Sequence, residues 1–112
     1  MFTRARRLRI YFNESDRWRG KTLSVALMET LQANHLAGAT LYRGLAGFGV
    51  HSSVHAARLE SLSMDLPLII ESVDAEEKIN AMLEIIQPMV REGLITLEDV
   101  DVIRMTQIYP NP

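Results

Sequence analysis

Two stretches with helical apolar spacing, each flanked by runs that alternate like strands, predict an α+β chain in the order β-α-β-β-α-β. That order builds a ferredoxin-like sandwich: one four-stranded antiparallel sheet with both helices on one face. Size agrees. The chain has 112 residues, 47% of them hydrophobic and 23% charged, which suits one core and leaves no room for a second. One domain over 1–112 is expected.

The elements follow in order. Leu8, Ile10 and Phe12 alternate with Arg7, Arg9 and Tyr11, the pattern of a half-buried strand. Asn13 to Gly20 is polar and turn-rich around a lone Trp18. From Lys21 to about His35, Leu23, Ala26, Leu27 and Leu31 form one helical stripe, with Gly38 placed to cap its end in a left-handed conformation. A second strand is expected over Ala39–Arg43, then a Gly-rich stretch from Gly44 to Gly49 and a polar segment from His51 to Asp65. Leu66 to Val73 reads as a buried strand, with Pro67 at a first-residue or edge position. Asp74 and Glu77 have the spacing of a capping box for a second helix. Its stripe is Ile79, Met82, Leu83, Ile86 and Val90, with Pro88 to break its last turn and Gly93 to close it. Val100 and Val102, alternating with Asp99 and Asp101, mark the last strand.

Charge is split along the chain. The part through Leu59 has nine basic and three acidic residues, and the rest has three basic and eleven acidic. In the expected topology the last strand lies beside the first, so Arg7 and Arg9 are expected to face Asp99 and Asp101. The helices cover one side of the sheet and nothing remains to cover the other, where Tyr11, Ile103 and Met105 make self-association the expectation. Cys is absent, which excludes disulfides, thiolate metal sites and Cys nucleophiles. No apolar run approaches the ~20 residues of a membrane-spanning helix. The N-terminus lacks the apolar core of a signal peptide, so a cytoplasmic setting is expected.

Few residues carry chemistry. Arg43-Gly44-Leu45-Ala46-Gly47-Phe48-Gly49-Val50-His51 packs three glycines into six positions. Such a stretch serves either as an anion-binding nest of backbone amides or as a β-bulge leading into a loop. It is neither a Walker A loop nor a dinucleotide fingerprint. His51 and His55 are four residues apart and would share a face on a helix, the weak signature of a metal pair. Arg17, Arg19 and Lys21 surround Trp18, an arrangement that suits either an anion with an aromatic ring or ordinary turn chemistry. No acid–base pair of stated geometry is present, so an enzyme is not expected. The basic residues form no stripe and the pI is about 5.9, so nucleic acid is not an expected partner.

Three segments together, LRIYFNESDRWRGK, LAGATLYRGLAGFGVHSSVH, and DLPLIIESVDAEEKI followed by GLITLEDVDVIR, resemble a bacterial and archaeal family of PII-like proteins. The family is catalogued as a domain of unknown function (number one-ninety). It is similar to the nitrogen-regulatory PII proteins and to CutA, both ferredoxin-like trimers.

The resemblance implies a homotrimer with adenine-nucleotide clefts between subunits and a target-docking loop, the T-loop, over about 52–65. PII proteins carry Gly-Phe-Gly-x-Gln at the base of that loop; here Gly47-Phe48-Gly49-Val50-His51 stands there, with His51 in place of glutamine. The loop has no tyrosine to modify. Arg91-Glu92-Gly93-Leu94-Ile95-Thr96 replaces the Gly- and Lys-rich phosphate grip of PII, leaving Arg104 as the cation from that side. The implied ligand is therefore a small anionic, nucleotide-like molecule. Its expected contacts are Gly47, Phe48, Gly49, His51, Arg43, Trp18, Arg19 and Arg104. No particular cofactor is implied. Some relatives are linked to fluoride-export channel proteins, so a membrane transport protein is one kind of target implied. The alternative is a CutA-like trimeric interaction module without a nucleotide site, in which His51 and His55 hold a metal.

Overall fold

The computed structural model describes residues 3–48, 55–56 and 65–104. Its elements are β1 (Thr3–Asn13), β2 (Arg17–Trp18), β3 (Lys21–Thr22), α1 (Leu23–Ala33), β4 (Thr40–Arg43), β5 (Ala46–Gly47), β6 (His55–Ala56), β7 (Pro67–Asp74), α2 (Glu76–Ile86) and β8 (Leu94–Val102). Four strands form one antiparallel sheet in the order β4-β7-β1-β8. Two short ribbons, β2-β3 and β5-β6, stand apart from it. This is the expected α+β ferredoxin-like arrangement. No helix of the described residues is long and apolar enough to cross a membrane.

Alternation along β1 sends Leu8, Ile10 and Phe12 to the helical side, where Ile10 is flanked by Ile70 of β7 and Ile95 of β8. Leu68 and Ile70, Leu23, Leu27 and Leu31 of α1, and Ile79, Met82 and Ile86 of α2 complete this core. Burying each such side chain contributes about 1.5–3 kcal/mol.

Several local readings need correction. The left-handed residue that ends α1 is His35, with φ 61°, not Gly38. The His35 N–H donates to the Gln32 carbonyl (3.0 Å) and the Leu36 N–H to the Leu31 carbonyl (3.4 Å), a Schellman pair that fixes the stop three residues before the glycine. Asp74 does not cap α2; Ala75 is the N-cap and no side chain caps it. The buried Asp74 carboxylate instead accepts the Ala37 N–H (2.8 Å) and the Ala75 N–H (2.7 Å). With Ser72 donating to the Gly38 carbonyl (2.6 Å), it ties the segment after α1 to the end of β7. Glu76 and Glu77 remain in the first turn, where the helix dipole favours them. The helix stops at Ile86, just before Pro88. Gly93 is a crossing point rather than a helix end: a Cβ there would collide with the Tyr11 carbonyl oxygen. That close passage lets β8 begin at Leu94, opposite Tyr11, five residues before the acidic alternation.

The earlier start also changes which charges meet. Arg7 lies opposite Glu98 and Arg9 opposite Thr96, while Asp99 and Asp101 lie opposite Arg6 and Arg4. Arg4 and Arg6 share the helical side with Leu8 and pair with Asp101 (3.1 Å) and Asp99 (3.3 Å). Arg6 also donates to Asn80 on α2 (2.9 Å). Arg7 and Arg9 point to the opposite side, which no other described element covers, so the expected pairing with Asp99 and Asp101 fails on strand parity.

That uncovered side has a layered pattern. Tyr42, Ile69, Tyr11 and Leu94 form a row across all four strands. Leu94 is 55% exposed and Tyr42 39%. The next row carries Glu71 and Arg9, followed by Arg7 and Glu98. Arg9 donates to Glu71 (2.8 Å), Arg7 donates to Glu98, and each arginine also lies near the other carboxylate.

Candidate functional site

The base of the 44–65 segment sits at one end of the sheet, where the turn after β1 grips both of its stems. Glu14 accepts from Arg43 at the end of β4 (2.9 Å), and its own N–H donates to the Leu66 carbonyl (2.9 Å). Ser15 donates twice to Asp65, from N–H to Oδ1 (2.8 Å) and from its hydroxyl to Oδ2 (2.7 Å). Asp16 accepts the Asn13 N–H (2.9 Å) and closes the turn. Burial pushes the Asp16 carboxyl up, the Asn13 hydrogen bond opposes this, and the charges of Asp65 and Glu92 add to the rise.

The glycines at this base pack closely. A Cβ on Gly44 or Gly47 would come within 2.8 or 2.9 Å of the Pro67 ring. The Gly44 N–H donates to the Pro67 carbonyl (2.8 Å), and neither glycine has a positive φ. Both glycines are thus placed where a side chain would meet the Pro67 ring. Gly47 pairs with His55 in the β5-β6 ribbon, so His55 lies on a strand. Leu45 and Phe48 are 80% and 76% exposed. Gly49 and His51 lie outside the described residues, as does most of the 52–65 segment.

The other candidates lie elsewhere in the protomer. Arg104 follows β8 at the far end of the sheet. The eight residue steps of β8 from Leu94 to Val102, at ~3.4 Å each, put it more than about 27 Å from the loop base. Trp18 and Arg19 lie on the helical side, lining a groove of about 780 Å³ with Lys21, Ala26 and Thr30 of the α1 side and Pro88 and Met89 after α2. Trp18 and Lys21 pair across a two-residue turn in which Arg19 (φ 47°) and Gly20 (φ 83°) are both left-handed. Arg19 stacks on the indole at 4.9 Å and Arg91 approaches it at 6.0 Å. One chain therefore brings Arg43, Gly47 and Phe48 to one neighbourhood, Trp18 and Arg19 to a second, and Arg104 to a third.

Sequence reasoning missed Glu14, Ser15 and Asp65, the clasp on the stems. Their residue types announce only a turn, and the partner carboxylate lies 50 positions away.

The sequence profile of DUF190, described as an uncharacterized ACR family, matches residues 5–102. The chain belongs to this family. A UPF0166 protein of Aquifex aeolicus is 41% identical over 96 residues, 86% of this chain and 90% of that protein. A UPF0166 protein of Methanocaldococcus jannaschii is 37% identical over 100 residues, 88% of this chain and 92% of that one. Among solved structures, this DUF190 chain superimposes on CPII of Thiomonas intermedia, determined with ADP and bicarbonate. The TM-score is 0.71 at 22% identity, covering 93% of each chain. A PII-like signaling protein of Thermus thermophilus gives a TM-score of 0.65 at 18% identity, covering 91% of this chain and 92% of that one. The DUF190 chain thus has the PII-like fold.

Proposed function

We propose that this DUF190 protein is a non-catalytic, PII-like regulator that works in the cytoplasm. It forms a homotrimer through the uncovered sheet face and binds a small anionic, nucleotide-like ligand in the clefts between subunits. Arg43, Gly47 and Phe48 stand at the cleft, with Gly49 and His51 next along the chain. Arg104 of another subunit approaches from the opposite end of a neighbouring sheet. Ligand binding biases the 52–65 segment between two states, of which one docks a target protein, a membrane transport protein being one candidate.

The observation that carries this reading is the apolar row Tyr42–Ile69–Tyr11–Leu94 on a face that no other described element covers, ending beside the clasped loop stems. CPII, of the same fold, was solved with ADP, AMP and bicarbonate, which sets the first compounds to try. Light scattering after size exclusion tests the assembly: a mass of three chains is expected, and Ile69→Arg is expected to shift it to one. Calorimetry with ADP, AMP, ATP and bicarbonate tests the ligand: at least one is expected to bind, more weakly to Arg43→Ala. A monomer at micromolar concentration, or no heat with any of the four, overturns the corresponding half. A trimer without nucleotide heat that binds zinc through His51 and His55 replaces it with the metal-linked reading.

A further inference from the structure

We infer that the groove between α1 and the end of α2 is a second binding site, for a small amphiphilic anion with an apolar body and a carboxylate or phosphate head. It is distinct from the cleft proposed above and does not depend on it.

The groove is built in two parts. Along its length it is shallow and mostly apolar, with the Lys21–Glu29 ion pair also in its lining. Ala26, Thr30 and Ala33 recur at steps of four and three on α1, and Ile85, Pro88 and Met89 face them from α2 and its end. Small side chains on one wall leave room above the floor. Thr30 turns its hydroxyl back to the Ala26 carbonyl (2.7 Å), so it adds a methyl group and no free donor. Ile85 is 42% exposed along this wall. The volume of about 780 Å³ lies within the ~300–1,000 Å³ of small-molecule sites.

One end is cationic and preorganised. The β2-β3 turn puts arginine where Asn is the usual choice, because both central residues have positive φ. A non-glycine residue held there stores strain. The turn is locked by Arg17, which donates to the Gly20 carbonyl (2.9 Å), and by Lys21, which pairs with Glu29 (2.6 Å). Arg19 and Arg91 differ from those neighbours. Among the described residues neither meets a carboxylate; both converge on the Trp18 indole, so their guanidinium carbons lie within about 11 Å of each other. Arg19 lines the end of the groove, where Lys21 and Glu29 offset each other, and Arg91 lies beside it on the indole, so the end carries a net positive charge complementary to an anion with an apolar tail. Arg presents its donors in a fork that suits a carboxylate or phosphate head.

Trp18 is the single tryptophan of the chain, so its fluorescence reads this site directly. The probe is octanoate below its aggregation concentration, with octyltrimethylammonium and acetate as controls. Octanoate is expected to change Trp18 emission saturably, and more weakly as salt rises, while the cation and the tail-less acid do not. Arg19→Asn keeps the turn, since Asn is favoured at that φ, and is expected to weaken octanoate about fivefold, the scale of one exposed ion pair. Arg91→Gln is expected to do the same and Arg19→Lys less. Ala33→Leu narrows the trough without changing charge and is also expected to weaken binding. Arg43→Ala is expected to leave the octanoate response intact, which separates this site from the nucleotide reading. A response equal for octyltrimethylammonium, or unchanged in Arg19→Asn and Arg91→Gln, overturns the proposal. So does no saturable response, or capture of a peptide or of a second copy of the chain in the groove with octanoate silent.

Discussion

Ile69 and Ile70 are adjacent, identical in chemistry and on opposite faces of the same central strand. Ile70 looks into the helices and is fully buried. Ile69 looks out, between Tyr11 and Tyr42, and is half-buried. The covered face is an apolar layer with its charges pushed to one end, where Arg4 and Arg6 meet Asp101 and Asp99 and Arg6 also reaches Asn80 of α2. The open face interleaves an apolar row with a neutral group of two arginines and two glutamates near the centre of the sheet. A face meant only for water would not align Tyr42, Ile69, Tyr11 and Leu94. A face meant only for a core would not hold four charges. The open face has the mixed character of a surface that is covered part of the time or by another chain.

The largest expected effect tests that contrast at the two isoleucines. Ile70→Ala is expected to lower unfolding free energy by about 3–4 kcal/mol, through lost burial and the cavity it leaves. Ile69→Ala should cost about 1 kcal/mol in the dissociated chain, because much of its surface is already wet. Urea unfolding at two protein concentrations separates the cases. The Ile70→Ala loss should be independent of concentration, whereas the Ile69→Ala loss should grow with it if a second copy covers the face. Equal losses at the two positions would remove the distinction between the faces.

Most of this architecture was legible in the residues because period carries it. Leu8, Ile10 and Phe12 at steps of two, and Leu23, Leu27 and Leu31 at steps of four, each report a buried face. What was illegible depends on register or distance. The expected facing of Arg7 and Arg9 with Asp99 and Asp101 fails because nothing in the acidic alternation reveals that β8 begins at Leu94; Gly93 passing under Tyr11 decides it. Asp74 followed by Glu77 is a genuine capping spacing, yet Asp74 is taken by the Ala37 amide, a contact across 37 positions. The loop-base site was half legible. The glycines stood out, but Gly44 and Gly47 follow the shape of Pro67, and no local pattern reveals that a proline ring will pack there.

A smaller effect is expected at the centre of the open face. Glu71 accepts from Arg9 at 2.8 Å and lies 3.8 Å from Arg7. Glu71→Gln keeps the size and removes the charge that both guanidinium groups share. The expected loss is about 0.5–1 kcal/mol in the dissociated chain, since these side chains are partly solvated. If assembly buries the face, the same change leaves two arginines short of a counter-charge in a drier setting, and dissociation should then become markedly easier. Sedimentation equilibrium of wild type and Glu71→Gln measures that difference. A change in unfolding with none in association would assign the four charges to the single chain alone.

The smallest effect is a pH dependence at Glu98, and it sharpens the same point. The hydrogen bond from Arg7, then the charge of Arg7, hold the Glu98 carboxyl below the usual carboxylate range; burial opposes them weakly and Arg9 reinforces them. The folded-state pKa is therefore lower than the unfolded one. The pair contributes fully above the unfolded value and its contribution is lost as pH falls through the folded value. Wild type should exceed Glu98→Gln in melting temperature at pH 7, and the two should converge as the pH is lowered through the acid range. The gap should also narrow in high salt, because Glu98 is 57% exposed. A gap that instead resists salt at high protein concentration would place Glu98 and Arg7 inside an interface. The open sheet face would then behave as a covered one whenever the chains are associated.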